Sequence, residues 1–145
     1  MVFSGRKASS ATAVSNVSSN NGKTSGYVSA YKQGTTVEQR QEQYKRVTEA
    51  YPNKIPVIVE RAPSSTLPAI PKNKFLVPGE LTVAQFANVV RKNIKLGMEE
   101  ALVLYINGSL QAASAMFSTI YEDLKDQEDG FLYVVYTGES SFGGK

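Results

Sequence analysis

Four short apolar runs, each followed by a turn signal, limit what this chain can fold into. They cover residues 55–60, 74–77, 102–106 and 131–136. Each run is too short to read as a buried helix, and their Val, Ile, Leu, Phe and Tyr content is typical of buried strands. The sequence therefore predicts a four-stranded sheet at the centre of the fold.

Two capping boxes mark helices before and between these strands. Thr36 is followed three residues later by Gln39, and Thr82 is followed by Gln85. In such a pair the two side chains satisfy each other's free backbone N–H groups at a helix start. Apolar residues then recur at helical spacing in both segments. Pro52 is expected to end the first helix, because the residue before proline disfavours helical geometry.

The remaining signals complete the order of elements. Gly97 is expected to cap the second helix, Asn107 and Gly108 predict a tight turn, and a short helix is expected over residues 114–124. The order is then helix, strand, strand, helix, strand, short helix, strand. This pattern predicts an α+β protein of the β-grasp type, as in ubiquitin, with an N-terminal helical extension packed on the sheet.

Composition divides the chain into three parts. Residues 1–29 are rich in Ser, Asn, Ala, Gly and Thr without periodicity, so they are expected to be disordered. Residues 30–137 are expected to form one ubiquitin-like domain, and residues 138–145 a flexible tail with a processing site. The sequence leaves open whether the first part is a spacer, a membrane-touching arm or a regulatory lid; a transit peptide is disfavoured by its scarce arginine.

The chain contains no histidine and no cysteine. These absences argue against triad hydrolysis, zinc chemistry and redox catalysis, so neither an enzyme nor a metal or other cofactor is expected. The net charge of +3 is mild, and nucleic acid is not an expected partner. No apolar run approaches the ~20 residues of a membrane span. Two acidic groups, Glu99 with Glu100 and residues 126–129, are interpreted as solvated surface.

Several stretches, taken in order, resemble one family. They are residues 55–60 (IPVIVE), 74–78 (KFLVP), 125–133 with its DGFLY ending, and Phe142-Gly143. These motifs look like the autophagy-related ubiquitin-like modifiers, the family of autophagy-related protein 8, microtubule-associated protein light chain 3 and the GABA-A-receptor-associated protein. The resemblance spans residues 31–143. Its start, YKQ followed by VEQR, is similar to the light-chain-3 branch.

The resemblance implies a processed C-terminus. In the family a cysteine protease cuts after the glycine that follows phenylalanine, activating and conjugating enzymes carry that glycine as thioesters, and it is then joined to phosphatidylethanolamine. Phe142 is accordingly expected to guide cleavage, and Gly143 to be the lipid acceptor. Gly144 remains a second choice, because the glycine is doubled. The chain is expected to be monomeric in solution, cytoplasmic, and on autophagosomal or other vesicle membranes when lipidated.

The resemblance also implies a groove for motifs with an aromatic residue and, three positions later, an aliphatic one. The strand at 74–77 is short and ends at a proline, so an edge position suited to strand addition is expected. The aromatic pocket is expected to comprise Gln43, Val47, Pro56, Ile58, Lys74, Leu76 and Phe131. The aliphatic pocket is expected to comprise Phe75, Val77, Pro78, Leu81, Phe86 and Val89. Acidic residues flanking the motif are expected to contact Lys54, Arg46 and Lys72.

Two residues depart from the family pattern. Gln43 stands where an acidic residue is often found, and Asn93 stands where an arginine is common, which leaves the cargo and partner preference open. A second hypothesis, from another class of function, also remains open. In it the chain is a soluble trafficking or microtubule-associated adaptor that uses the same groove and is never lipidated. The two differ in whether the membrane-bound pool carries a lipid on Gly143.

Overall fold

A computed structural model describes residues 27–138. The predicted elements form as a mixed four-stranded sheet with helices on both faces. The elements in chain order are α1 (Ala30–Gln33), α2 (Val37–Ala50), β1 (Lys54–Arg61), β2 (Lys74–Pro78), α3 (Val83–Ile94), β3 (Val103–Ile106), α4 (Phe117–Leu124) and β4 (Leu132–Thr137).

The sheet has the strand order β2-β1-β4-β3. β1 pairs antiparallel with β2 and parallel with β4, and β3 pairs antiparallel with β4. A central parallel pair between two antiparallel neighbours is consistent with the predicted β-grasp. β2 lies at one edge, as predicted, and β3 at the other.

The front face of the sheet holds the main core. Residues alternate along a strand between the two faces, and the front-facing set includes Val57, Phe75 and Val134, each with 0% exposure. α3 and α4 cover this face with apolar side chains, among them Phe86 and Phe117. Both faces of β3 are buried even though it is an edge strand, because the chain before α1 covers its back.

The local signals for the helices were correct in part: a short helix, α1, precedes the predicted first helix, and α4 begins at Phe117 instead of residue 114. Both capping boxes form as predicted. The C-terminus of α3 was predicted wrongly: Lys95, with φ of 58°, caps the helix in the left-handed conformation, and Gly97 does not. The predicted tight turn after β3 is confirmed, with positive φ at Asn107 and Gly108.

The chain before α1 crosses the back face of the sheet. Tyr27 packs beside Ala62 and Val103, where β1 ends and β3 begins. Lys32, at the far end of α1, lies over the ring of Tyr133 near the start of β4. Tyr27 and Ser29, which the sequence analysis placed in the first part of the chain, thus contact the sheet.

Candidate functional site

The predicted processing residues Phe142, Gly143 and Gly144 lie outside the described residues. The tail that carries them leaves from the end of β4, an inner strand of the sheet. We call this side, where β1 and β4 end and β3 begins, the tail end of the sheet. A cavity of about 140 Å³ opens there, lined by Ser65, Thr66, Leu67, Glu100, Ala101, Thr137 and Gly138.

The predicted aromatic pocket comes together on the back face. α2 packs over β1 there, and β1 and β2 align Ile58 opposite Lys74 and Pro56 opposite Leu76. Gln43 and Lys74 are half-buried. The other predicted members are buried: Val47, Pro56, Ile58, Leu76 and Phe131.

Two tyrosines that the sequence did not single out complete this region. The ring of Tyr31 meets Phe131 edge-on at 5.9 Å between centroids, and Tyr44 does so at 5.8 Å. Lys74 Nζ lies 5.1 Å from the centroid of the Tyr31 ring. Burial and the negative charge of Asp129 raise the pKa of Tyr31 to about 12, so its hydroxyl stays neutral at physiological pH. The aromatic pocket is therefore covered, with Lys74 and Tyr31 as its outermost layer.

The predicted aliphatic pocket lies on the front face, and only half of it reaches the surface. Phe75, Val77 and Phe86 each have 0% exposure, and the Phe75 and Phe86 rings meet edge-on at 5.8 Å. These three side chains belong to the core. The half-buried members are Pro78, Leu81 and Val89.

The cations predicted to meet acidic flanking residues do not lie together. Lys54 is paired with Pro78 at one end of the β1–β2 ribbon. Arg46, late in α2, lies towards the same end, and its Nη2 is 3.6 Å from Oε2 of Glu42. Lys72 precedes β2 at the opposite end, beside the aromatic pocket. All three side chains are exposed.

Asn93, one of the two departures from the family pattern, points back at its own helix. Its Nδ2 donates to the carbonyl of Val89 at 2.8 Å. An amide that bonds the carbonyl four residues earlier is partly used within the helix. Asn93 is thus a short side chain held close to α3, at a position where the resemblance led us to expect an arginine.

A buried carboxylate anchors the chain before α1. Glu60, 8% exposed, accepts hydrogen bonds from the Tyr27 hydroxyl, from Ser29 Oγ at 2.9 Å and from the Tyr31 backbone N–H at 2.8 Å. The pKa of Tyr27 is raised, first by burial and then by the charge of Glu60. The available sequence signal was a single acidic residue in an otherwise apolar strand, because a buried carboxylate requires donors.

The acidic turn before β4 is not wholly solvated, contrary to expectation. Asp129 is 3% exposed and accepts a hydrogen bond from Arg40 Nε at 2.8 Å. Asp126 accepts the backbone N–H groups of Glu128 and Asp129 and pairs with Lys32. This turn therefore fastens α1 and α2 to the sheet.

Three features define the class of this chain: a β-grasp sheet, N-terminal helices on its back face, and a last strand, β4, that lies inside the sheet. They are those of a ubiquitin-like modifier. A family described as "Autophagy protein Atg8 ubiquitin like" matches residues 39–143. The chain belongs to this Atg8 family of ubiquitin-like autophagy proteins.

Individual relatives agree with this assignment. Autophagy-related protein 8a of Arabidopsis thaliana is 50% identical over 79% of this chain and 93% of its own length. Autophagy-related protein 8 of Mycosarcoma maydis is 48% identical over 79% of this chain and 97% of its own. The crystal structure of Trypanosoma brucei ATG8 superposes with a TM-score of 0.74 at 42% identity, covering 81% of this chain and 100% of that one. The predicted family and fold are confirmed.

Proposed function

We propose that this chain is cut after Gly143 and joined through that glycine to phosphatidylethanolamine on autophagosomal membranes. The observation that carries the proposal is the family match, which extends through the tail and ends at Gly143. A processing cysteine protease, an activating enzyme and a conjugating enzyme are then its partners, and the chain itself is a substrate. The unconjugated form resides in the cytoplasm.

The physical basis of this anchor is the number of acyl chains. One chain holds a protein on a bilayer only marginally, whereas two hold it stably. Phosphatidylethanolamine supplies two chains through one amide bond, and cutting that bond releases the protein in one step. Within residues 27–138 no helix is long and apolar enough to cross a membrane, so this part of the chain offers no transmembrane alternative to the lipid.

Two single substitutions test the acceptor. Gly143→Ala is expected to abolish the lipid-sized mass increase on the membrane-bound pool of starved cells. Gly144→Ala is the matched control and is expected to leave it in place, because Gly144 is removed with Lys145. The reverse pattern would make Gly144 the acceptor. Unmodified full-length chain in both pools of the wild type would instead favour the soluble adaptor.

We further propose that the edge of β2 binds receptors carrying aromatic-x-x-aliphatic motifs. The aromatic pocket includes Lys74 at the start of β2, and the aliphatic one includes Pro78 at its end and Leu81 beyond it. Residues three apart on an extended strand are separated by roughly 10 Å, the spacing between Lys74 and Val77. A motif strand added parallel to β2 therefore has its aromatic residue at the start of β2, by Lys74. The residues N-terminal to the aromatic one then lie beside Lys72.

The expected affinity is modest. Burying two side chains contributes about 2–3 kcal/mol each, and this gain is offset by several kcal/mol for association. With the hydrogen bonds of strand addition added to these terms, we expect a dissociation constant in the micromolar range. Many copies on one membrane increase the effective strength through avidity.

Val89→Asp tests this groove at a half-buried position of α3, at the margin of the main core. It is expected to weaken binding of an aromatic-x-x-aliphatic peptide at least about tenfold, since a carboxylate replaces an apolar contact. Asn88→Asp adds the same charge at the neighbouring exposed position and is expected to bind as the wild type does. Equal affinity of both variants in calorimetry would place the groove elsewhere. Phe75→Asp is unsuitable because Phe75 is fully buried.

A further inference from the structure

The outer layer of the aromatic pocket includes a contact between a cation and a ring. Lys74 Nζ is 5.1 Å from the centroid of Tyr31, whose ring stands edge-on to Phe131. Beneath them Val47 is 5% exposed and Ile58 is 0% exposed. An aromatic side chain from a ligand cannot reach these buried residues until the contact between Lys74 and Tyr31 opens.

Of the two partners, Tyr31 is the fixed one. Its backbone N–H donates to the Glu60 carboxylate at 2.8 Å, and Ser29, two residues earlier, donates to the same carboxylate at 2.9 Å. Lys74 carries its ammonium at the end of a flexible four-carbon stem, and its side chain is half-buried. The pocket therefore opens by a movement of Lys74 away from a stationary ring.

We infer that Tyr31 is a positioning residue of the groove, which holds the Lys74 ammonium over the aromatic pocket so that every ligand must displace it. The inference rests on the proposed peptide groove. Because every ligand must break this contact in order to bind, the contact lowers the affinity for all motifs by the same factor. The displaced ammonium then gains a new partner only when the ligand carries a carboxylate beside its aromatic residue.

The test uses the full chain and two synthetic peptides that share an aromatic-x-x-aliphatic motif and differ only in an acidic or a neutral N-terminal flank. A cation–π contact at a partly exposed site corresponds to about a two- to fivefold change in affinity. Tyr31→Leu removes the π face and is expected to tighten both peptides by that factor, leaving their affinity ratio unchanged. Tyr31→Phe keeps the ring and is expected to restore wild-type values.

Lys74→Met gives a different signature. It removes the cover and also the ammonium that would pair with the ligand, so the neutral peptide is expected to tighten by about two- to fivefold while the acidic peptide loses its advantage. The matched control is Lys125→Met, because Lys125 Nζ lies 5.3 Å from the ring of Tyr121, outside the groove. It is expected to change neither affinity.

A second measurement separates this inference from the groove itself. Proton NMR of the free protein is expected to show a ring-current shift on the Lys74 ε-methylene that Tyr31→Leu abolishes and Tyr31→Phe retains. If the peptides bind but Tyr31→Leu leaves both affinities unchanged or weaker, the inference is overturned and the groove stands. If neither peptide binds although the shift is present, the proposed groove is wrong, and the role of Tyr31 in peptide binding is refuted with it.

Discussion

Arg40 on α2 and Asp129 before β4 form an ion pair inside the protein, with Nε and Oδ2 2.8 Å apart and exposures of 5% and 3%. Asp129 also accepts the Tyr133 hydroxyl at 2.6 Å and the Phe131 N–H at 2.9 Å. These bonds join α2 to the strand that carries the tail. The carboxylate is thus held from three directions.

Removing the cation of this pair is expected to be costly. Arg40→Met leaves a buried carboxylate without its counter-charge, which typically destabilises by about 3–5 kcal/mol. Arg46→Met, which breaks the exposed contact with Glu42, is expected to cost no more than about 0.5 kcal/mol. Urea unfolding measures both. A small, equal loss in the two variants would show that the buried pair has no special weight.

The anchor of the chain before α1 gives a second prediction. Glu60→Gln replaces one of two acceptor oxygens with an NH₂ group that faces donors, so a loss of roughly 1–3 kcal/mol in unfolding free energy is expected. Hydrogen exchange of the Tyr31 amide should accelerate in the same variant. Glu100→Gln, at an exposed position, serves as the control. An unchanged Tyr31 exchange rate would contradict the assignment of Glu60 as the anchor.

Acidification should remove the contribution of Asp126. Burial opposes its ionisation, but the bond and charge of Lys32 and two backbone N–H groups outweigh it and lower the pKa of Asp126 below 3.8. A carboxylate whose pKa is lower in the folded than in the unfolded state stabilises the fold at pH values above its unfolded-state pKa. This contribution is lost as the pH falls through the folded-state pKa. At neutral pH, the free energy of unfolding of the wild type is therefore expected to exceed that of Asp126→Asn by roughly 1 kcal/mol.

The two proteins should then converge as pH falls below about 4. Denaturant unfolding at a series of pH values follows this difference. A difference that persists unchanged at about pH 2 would mean that the charge of Asp126 is not what stabilises the turn.

Lys95 offers a stabilising substitution. Its φ of 58° lies in the left-handed region. For a residue with a Cβ atom this conformation costs about 1–2 kcal/mol relative to the right-handed one. Lys95→Gly removes that strain, and the greater entropy of glycine in the unfolded chain offsets part of it, so a net gain of roughly 0.5–1 kcal/mol is expected. Lys92→Gly, within α3, should destabilise by about 1 kcal/mol. Thermal unfolding that ranks the two variants in the opposite order would refute this assignment of the cap.

Elements that depend on neighbouring residues were predictable from the sequence. The capping boxes at Thr36 and Thr82 and the turn at Asn107 involve groups within a few residues, so the pattern contains the interaction itself. The edge position of β2 was inferred from its shortness and its closing proline. The family resemblance supplied the groove residues, which no local pattern contains.

Contacts between distant segments were not predictable in this way. Arg40 and Asp129 are 89 positions apart, and the acidic turn looks solvated until α2 is placed over it. Tyr31 likewise looks like an ordinary first residue of the domain. Whether Phe75 lines a groove or fills the core depends on which face of β2 meets α3, and an edge strand with apolar residues on both faces leaves that choice open.

The position of β4 determines how the protein resists force. A force applied to the chain beyond Gly138 is transmitted to β4, which ends at Thr137. This strand is bonded on one side to β1 and on the other to β3. Such a force loads two ladders of hydrogen bonds in shear, and both must break together. The domain therefore resists a force on its C-terminal end better than it would if the bonds broke one after another.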